Sequence, residues 1–340
     1  MLSVSAVKSA GKAGAYYTNE DNYYFLGEQS TEWYGTGAEN LGLEGPVNRD
    51  TFVAVLEGQL PDGTDMRRME GGVNKHRPGY DLTFSAPKSA SVLALVTGDT
   101  FLVDAHKEAV RRTLDEVEKL ATTRTMTDGI TEMEKTGNLV IATFMHDTSR
   151  NLEPQMHTHA VVANATLSQN GWKTLSTDIS GKQGFTDVVW NEQVSIGALY
   201  RGHYRSIIEP AGYQTEDTGP RGEWDITGVP VKPFSSRRQD ILDLVGENAT
   251  AKQKSMAALD SRQAKHFEDP ETLREHWQSV LEDTGFDVET FREELAERQQ
   301  QREAESAGQE EKAATPSVLD GAVREAIERL SSKSVRVTYD

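Results

Sequence analysis

Apolar and polar positions alternate from Tyr80 to Ser85 (Tyr-Asp-Leu-Thr-Phe-Ser), which predicts a strand that ends at Pro87. Asn138 to His146 is apolar at nearly every position, as a central strand covered on both faces would be. Met156 to Leu167 alternates again and predicts a third strand. Helical spacing appears between them. Phe101 to Ala121 carries apolar residues at three- and four-residue intervals, and Val188 to Glu209 does so until Pro210 and Gly212 stop it. Tyr213 to Ile226, with Gly-Pro-Arg-Gly at its centre, predicts a hairpin. From Ser235 onward the strand-like runs nearly vanish. Ser235 is placed to cap a helix reaching Val245, and Pro270 to Arg302 is helical by propensity. Glu293 to Glu311 is a Glu/Gln/Arg-rich stretch that reads as a solvated helix or linker. Thr315-Pro316 then opens a last predicted helix. Three regions follow: a core over 1–235, a helical segment over 236–312, and a terminal helix over 313–340.

Composition narrows this picture. Of 340 residues, 36% are hydrophobic, enough for a sizeable core. Cysteine is absent, which excludes disulfides and thiolate metal sites and fits a reducing cytoplasm. No apolar run reaches the roughly 18 residues of a membrane span. The formal net charge of −18 argues against a broad nucleic-acid surface, so any nucleic-acid site must be a local basic patch on an acidic body. No phosphate-binding Gly-Lys-Ser/Thr loop is present.

Candidate chemistry concentrates in a few short segments. His157 and His159 are two apart on a predicted strand, so their imidazoles project to one face, and His146 ends the preceding strand. Three histidines can hold a metal and leave positions open for a substrate; buried structural histidines are the plain alternative. Asp81, flanked by apolar residues, is a candidate partner for the outer N–H of a ligating histidine, or else a surface acid. Tyr16, Tyr17, Tyr23 and Tyr24 place four of the ten tyrosines within nine residues. A phenol can attack a phosphodiester if its pKa of about 10 is compensated, whereas packing aromatics would need no such help. Lys75 and Arg77 precede the Asp81 strand and Lys88 follows it, in polar loops able to hold phosphates. Along the 188–209 helix, Gln193, Gly197, Arg201 and Arg205 fall on one face, since eight residues make about 2.2 turns. That face offers an amide and two guanidiniums for base edges, or is an ordinary solvated stripe.

Taken in order, these segments resemble the conjugative relaxases of the TraI and TrwC type, within the HUH endonucleases. The resemblance is carried by Ala13-Gly14-Ala15-Tyr16-Tyr17, Asp21-Asn22-Tyr23-Tyr24, the run from His76 to Ser89, His146-Asp147-Thr148-Ser149-Arg150, and Gln155 to Val161. It spans residues 1 to about 235. It implies an α+β fold, a central antiparallel sheet with flanking helices, and a helical C-terminal segment closing over single-stranded DNA. It implies Tyr16 as primary nucleophile, forming a 5′-phosphotyrosine at a plasmid origin of transfer, with Tyr17, Tyr23 and Tyr24 as auxiliary tyrosines. His146, His157 and His159 would be metal ligands, Asp81 their orienting carboxylate, and Mg²⁺ or Mn²⁺ the metal. Lys75, Arg77, Lys88 and Arg150 are candidate DNA contacts beside Gln193, Arg201 and Arg205. Accessory relaxosome proteins, a monomeric state and a bacterial cytoplasmic location are further expectations. Such relaxases usually continue into a helicase, so the chain is expected to be the relaxase module alone.

Three alternatives stay open at this level. A rolling-circle replication initiator shares the chemistry, but its tyrosines usually follow its histidines. A cupin-like metal oxygenase predicts mostly β structure and a carboxylate ligand. A non-catalytic single-stranded DNA-binding module would have no need of four tyrosines and three histidines.

Overall fold

The computed structural model describes residues 1–18, 30–127, 129–178, 183–246 and 269–307, with isolated positions between 249 and 257. Along the chain, β1 (Leu2–Val7) leads into α1 (Ala10–Tyr17). β2 (Thr31–Tyr34) is followed by α2 (Thr36–Asn40) and α3 (Arg49–Glu57). A small hairpin of β3 (Met69–Glu70) and β4 (Val73–Asn74) precedes β5 (Gly79–Ser85), α4 (Lys88–Val96) and α5 (Thr100–Glu118). The hairpin β6 (Thr122–Thr127) and β7 (Ile130–Lys135) comes before the central pair β8 (Ile141–Thr148) and β9 (Pro154–Ala163). Then come β10 (Thr166–Ser168), β11 (Gly171–Lys173), α6 (Phe185–Asn191), α7 (Gln193–Ile208), β12 (Thr215–Asp217) and β13 (Trp224–Ile226). Three helices close the described chain: α8 (Ser236–Val245), α9 (Pro270–Glu282) and α10 (Val288–Ala307).

Five strands form one sheet in the order β1-β5-β9-β8-β2, and every neighbouring pair is antiparallel. Side-chain alternation gives this sheet two buried faces. Leu82, Phe84, Ile141, Met145, Ala160 and Val162 pack with residues of α4, α5 and α7. Ala142, Phe144, Val161 and Ala163 pack on the other face with Ala10, Ala13 and Tyr17 of α1 and Phe52, Val55 and Leu56 of α3. Burial on both faces explains why Asn138 to Met145, which leads into and forms most of β8, reads as a nearly continuous apolar run. This mixed α+β architecture matches the expected class and differs from the mostly β structure of a cupin.

Close backbone approach fixes two glycines in the motifs. Gly79 opens β5 at φ +154°, where a Cβ would lie 2.1 Å from the Val162 carbonyl oxygen of β9. At Gly14 a Cβ would come within 2.4 Å of Val53 Cγ2, so α1 lies directly against α3. That contact seats the helix bearing Tyr16.

Several predicted elements divide. The helix expected over 188–209 is two, α6 and α7, separated at Glu192 (φ −100°, ψ 13°). The stretch 270–302 is also two helices, interrupted near Gly285 at φ +73°. The strand expected over 156–167 is β9 plus the short β10, broken at Asn164, whose side-chain oxygen accepts the Leu175 N–H at 3.1 Å. Ser235 precedes α8 as expected but makes no side-chain cap; its hydroxyl donates back to the Val231 carbonyl at 2.7 Å. The helix expected from Thr315 lies outside the described residues.

The start of α4 is capped from a distance. Pro87 offers no side-chain cap, and Asp225 of β13 accepts both the Ser89 N–H (3.0 Å) and the Ser89 hydroxyl (2.7 Å). Ser89 Oγ in turn accepts the Ile226 N–H at 2.7 Å. Asp225→Ala is expected to lower unfolding free energy by about 1–2 kcal/mol, because it leaves a buried helix-terminal N–H unpaired. Urea unfolding of the variant beside wild type measures it.

Candidate metal and tyrosine site

The sheet register assembles the site. His146 on β8 pairs directly with His157 on β9, and Asp81 and Thr83 on β5 pair with Val161 and His159. All five polar residues therefore project to the face that carries α1. The ligand atoms of His146, His157 and His159 lie within 4.8 Å of one another. Among the described residues this is the one group of three or more histidines and acids close enough to hold a metal ion. Asp81 stands behind the cluster, without joining it as the carboxylate ligand an oxygenase would use.

Hydrogen bonds set which imidazole nitrogen is available. His159 Nδ1–H donates to Asp81 Oδ2 at 2.9 Å, and Asp81 Oδ1 lies 3.1 Å away. His157 Nδ1–H donates to the Gln155 carbonyl at 2.8 Å. Both tautomers leave Nε2 with a lone pair. The Nε2 of His159 is buried and has no hydrogen-bond partner, which is costly for a polar atom unless a ligand satisfies it. The donor set therefore fits a divalent metal held by three imidazoles, with a carboxylate fixing the tautomer of one.

Asp81 is 6% exposed and accepts more than the histidine. Tyr17 donates its hydroxyl to Oδ2 at 2.9 Å, and Thr83 donates to Oδ1 at 3.2 Å. These donors compensate a buried carboxylate. Thr83 did not figure among the sequence candidates; its signal was its place two residues from Asp81 on one strand.

The two tyrosines of α1 have opposite surroundings. Residues 10, 13, 14 and 17 form the buried stripe of this helix, so Tyr17 points inward. Its ring stacks on Phe144 with centroids 5.4 Å apart. Burial first, then the Asp81 charge, pushes its phenol well above the ordinary tyrosine value. Tyr16 is 43% exposed, and its ring stands edge-on to His146 and His159, with both centroid separations 5.9 Å. The structure thus separates two residues that sequence reading grouped: Tyr16 overlooks the histidines, while Tyr17 is tied up beneath them. Tyr23 and Tyr24 lie outside the described residues.

The other candidates scatter. Lys75, Arg77 and Arg150 are exposed. Arg77 donates to the Tyr80 hydroxyl at 3.3 Å. Lys88 sits at the first turn of α4 and not in a loop. Its ammonium donates to the Pro154 carbonyl at 3.0 Å, and burial lowers its pKa to about 8. On the helix face expected to read bases, both guanidiniums already have partners within the protein. Gln193 is half-buried, and a Cβ at Gly197 would lie 3.1 Å from Leu2 Cβ, so the helix packs against β1 at Gly197. Arg201 is only 6% exposed, and its guanidinium donates to the carbonyls of Gly222 and Arg221. Arg205 is paired with Glu209 and Asp217 at 2.7 Å each. Neither guanidinium stands open to solvent as a free fork.

Comparison with known proteins finds clear relatives. The TrwC relaxase family matches residues 10–284. The whole chain is 50% identical to the multifunctional conjugation protein TraI of Escherichia coli and 49% identical to that of strain K12. It spans 19% of the length of each of these curated relatives. Among solved structures it is similar to the conjugative relaxase TrwC in complex with oriT DNA. The metal-bound form shares 35% identity at a TM-score of 0.74, covering 84% of this chain and 99% of that one. A copper-bound form gives 35% and 0.75 over the same shares.

Proposed function

The chain belongs to the TrwC relaxase family, and on that premise we propose that it nicks and rejoins one DNA strand at a plasmid origin of transfer. The observation that carries this reading is an exposed Tyr16 ring edge-on to two members of a three-histidine cluster. Tyr16 is the nucleophile in this reading. Its Oη–P bond forms as the P–O3′ bond breaks, the phenol loses a proton, and the departing 3′ oxygen gains one. The product is a 5′-phosphotyrosine beside a free 3′-hydroxyl. One phosphoester replaces another, so rejoining needs no nucleotide cofactor.

His146, His157 and His159 would hold a divalent ion, Mg²⁺ or Mn²⁺ by family likeness, that draws charge from the scissile phosphate. Asp81 holds His159 in the tautomer that presents Nε2, and Thr83 and Tyr17 hold Asp81. Tyr17 therefore serves as a support, and an auxiliary nucleophilic role is left to Tyr23 and Tyr24. Lys75, Arg77 and Arg150, all exposed, are the candidates for contacting phosphates, and Gln193 is the remaining candidate on its helix for a base edge. The substrate in this reading is single-stranded DNA; the TrwC relatives were solved in complex with oriT DNA. The protein would act as a monomer, with accessory relaxosome proteins, in the bacterial cytoplasm. Among the described residues, no helix is long and apolar enough to cross a membrane.

The test is incubation with a single-stranded oligonucleotide spanning the cognate origin. A covalent protein–DNA band and a shortened strand ending in a 3′-hydroxyl are expected. Both should vanish in excess chelator and return with Mn²⁺. Cleavage that persists unchanged in chelator would refute the metal assignment.

A further inference from the structure

β8 and β9 carry all three histidines and are joined by only five residues, Ser149 to Glu153. The turn is closed by Ser149 N–H to the Glu153 carbonyl (2.8 Å) and Leu152 N–H to the Ser149 carbonyl (3.1 Å). Leu152 adopts φ +55° and is the one non-glycine residue with positive φ among the described residues. A branched side chain resists this conformation, which persists only where the surroundings hold it.

Those surroundings come from the C-terminal helices. The Trp277 indole N–H of α9 donates to the Leu152 carbonyl at 2.8 Å, and Trp277 is 2% exposed. The Asn151 amide donates to Ser236 Oγ (3.1 Å) and Asp240 Oδ2 (3.0 Å) of α8. The Ser236 N–H donates to Glu153 Oε1 at 2.5 Å. Helices more than 80 residues away in sequence thus hold each side of the turn.

From the turn to the histidines the path is short. Thr148 pairs with Pro154, a register shift follows at Asp147, and His146 then pairs with His157. A bulge re-aims the side chains beside it, so the shape of the turn sets how His146 meets His157. We propose that the grip of α8 and α9 on this turn, centred on the Trp277–Leu152 hydrogen bond, positions the three-histidine centre. Trp277 and Asn151 are then positioning residues for metal binding, acting through the turn. The inference rests on the metal reading given above. A plainer role for Trp277 is to fill the core, since its ring joins the cluster on the α4–α5–α7 side of the sheet.

The test uses the 340-residue chain and Mn²⁺ alone, with affinity read by titration calorimetry. Trp277→Phe keeps an aromatic ring in the core and removes the N–H. It is expected to weaken Mn²⁺ binding about tenfold, within the range known for outer-shell partners of metal ligands. Adding Leu152→Gly, which takes positive φ without strain, should restore most of that loss. A role in core filling alone predicts a lowered Tm with no recovery of affinity in the double variant, and that result would overturn the proposal. Asn151→Ala, an exposed change, should weaken binding in the same direction even if Trp277→Phe does not fold. Wild-type affinity in whichever of the two single variants folds also overturns it. A wild-type chain that binds no Mn²⁺ would remove the metal reading and this inference together, an outcome distinct from both.

Discussion

Tyr16→Phe is expected to abolish the covalent protein–DNA adduct while leaving the fold and single-strand binding intact. The substitution removes one oxygen from a 43%-exposed ring, so nothing in the core is disturbed. The cleavage rate should fall at least about a thousandfold, which is ~4 kcal/mol of barrier. Tyr17→Phe should behave differently. Its hydroxyl is already donated to Asp81, and losing it removes a hydrogen bond to the carboxylate that orients His159. That variant should still form the adduct, more slowly. Denaturing gels with a labelled origin oligonucleotide, followed by peptide mapping, separate the two. An adduct mapped to Tyr17 in wild type would sink the assignment.

The second large effect is expected at His159. His159→Ala removes one of three imidazoles and leaves Asp81 without its imidazole donor. Mn²⁺ affinity should fall by at least about 100-fold, beyond what the loss of an outer partner such as Asp81 typically costs. Nicking should fall in parallel, and circular dichroism should be unchanged, because alanine keeps the backbone pairing of β9 with β5 and β8. Added Mn²⁺ should partly rescue Asp81→Ala, in which all three imidazoles survive, and should not rescue His159→Ala. Equal rescue of both would mean that the histidine acts by some route other than holding a metal.

The parts of the site that sequence made legible are those governed by strand parity. His157 and His159 share a face because they are two apart, and the same rule extends to Asp81 and Thr83. The long helix α5 was equally plain from its apolar spacing. β1 was not, because a six-residue edge strand acquires its identity from pairing with β5, some 80 residues away in sequence. The burial of Arg201 was not legible for a related reason. Its position in a polar stripe suggests solvent, yet the carbonyls that receive it belong to a loop about 20 residues further on. The contrast between Tyr16 and Tyr17 was available in principle. Ala10, Ala13, Gly14 and Tyr17 fall at three- and four-residue spacing, which turns Tyr17 inward and leaves its neighbour about 100° around the helix.

Tyr17 and Phe144 stack in the cluster that also holds Phe52, and this cluster seats the helix bearing Tyr16 on the strands that carry the histidines. In the proposed reaction, the distance between the Tyr16 oxygen and the histidine centre is therefore a dimension of the hydrophobic core. A displacement of 1 Å at a reacting atom can cost about 100-fold in rate. Substitutions at these aromatic positions should then cost catalytic alignment before they cost the fold its stability.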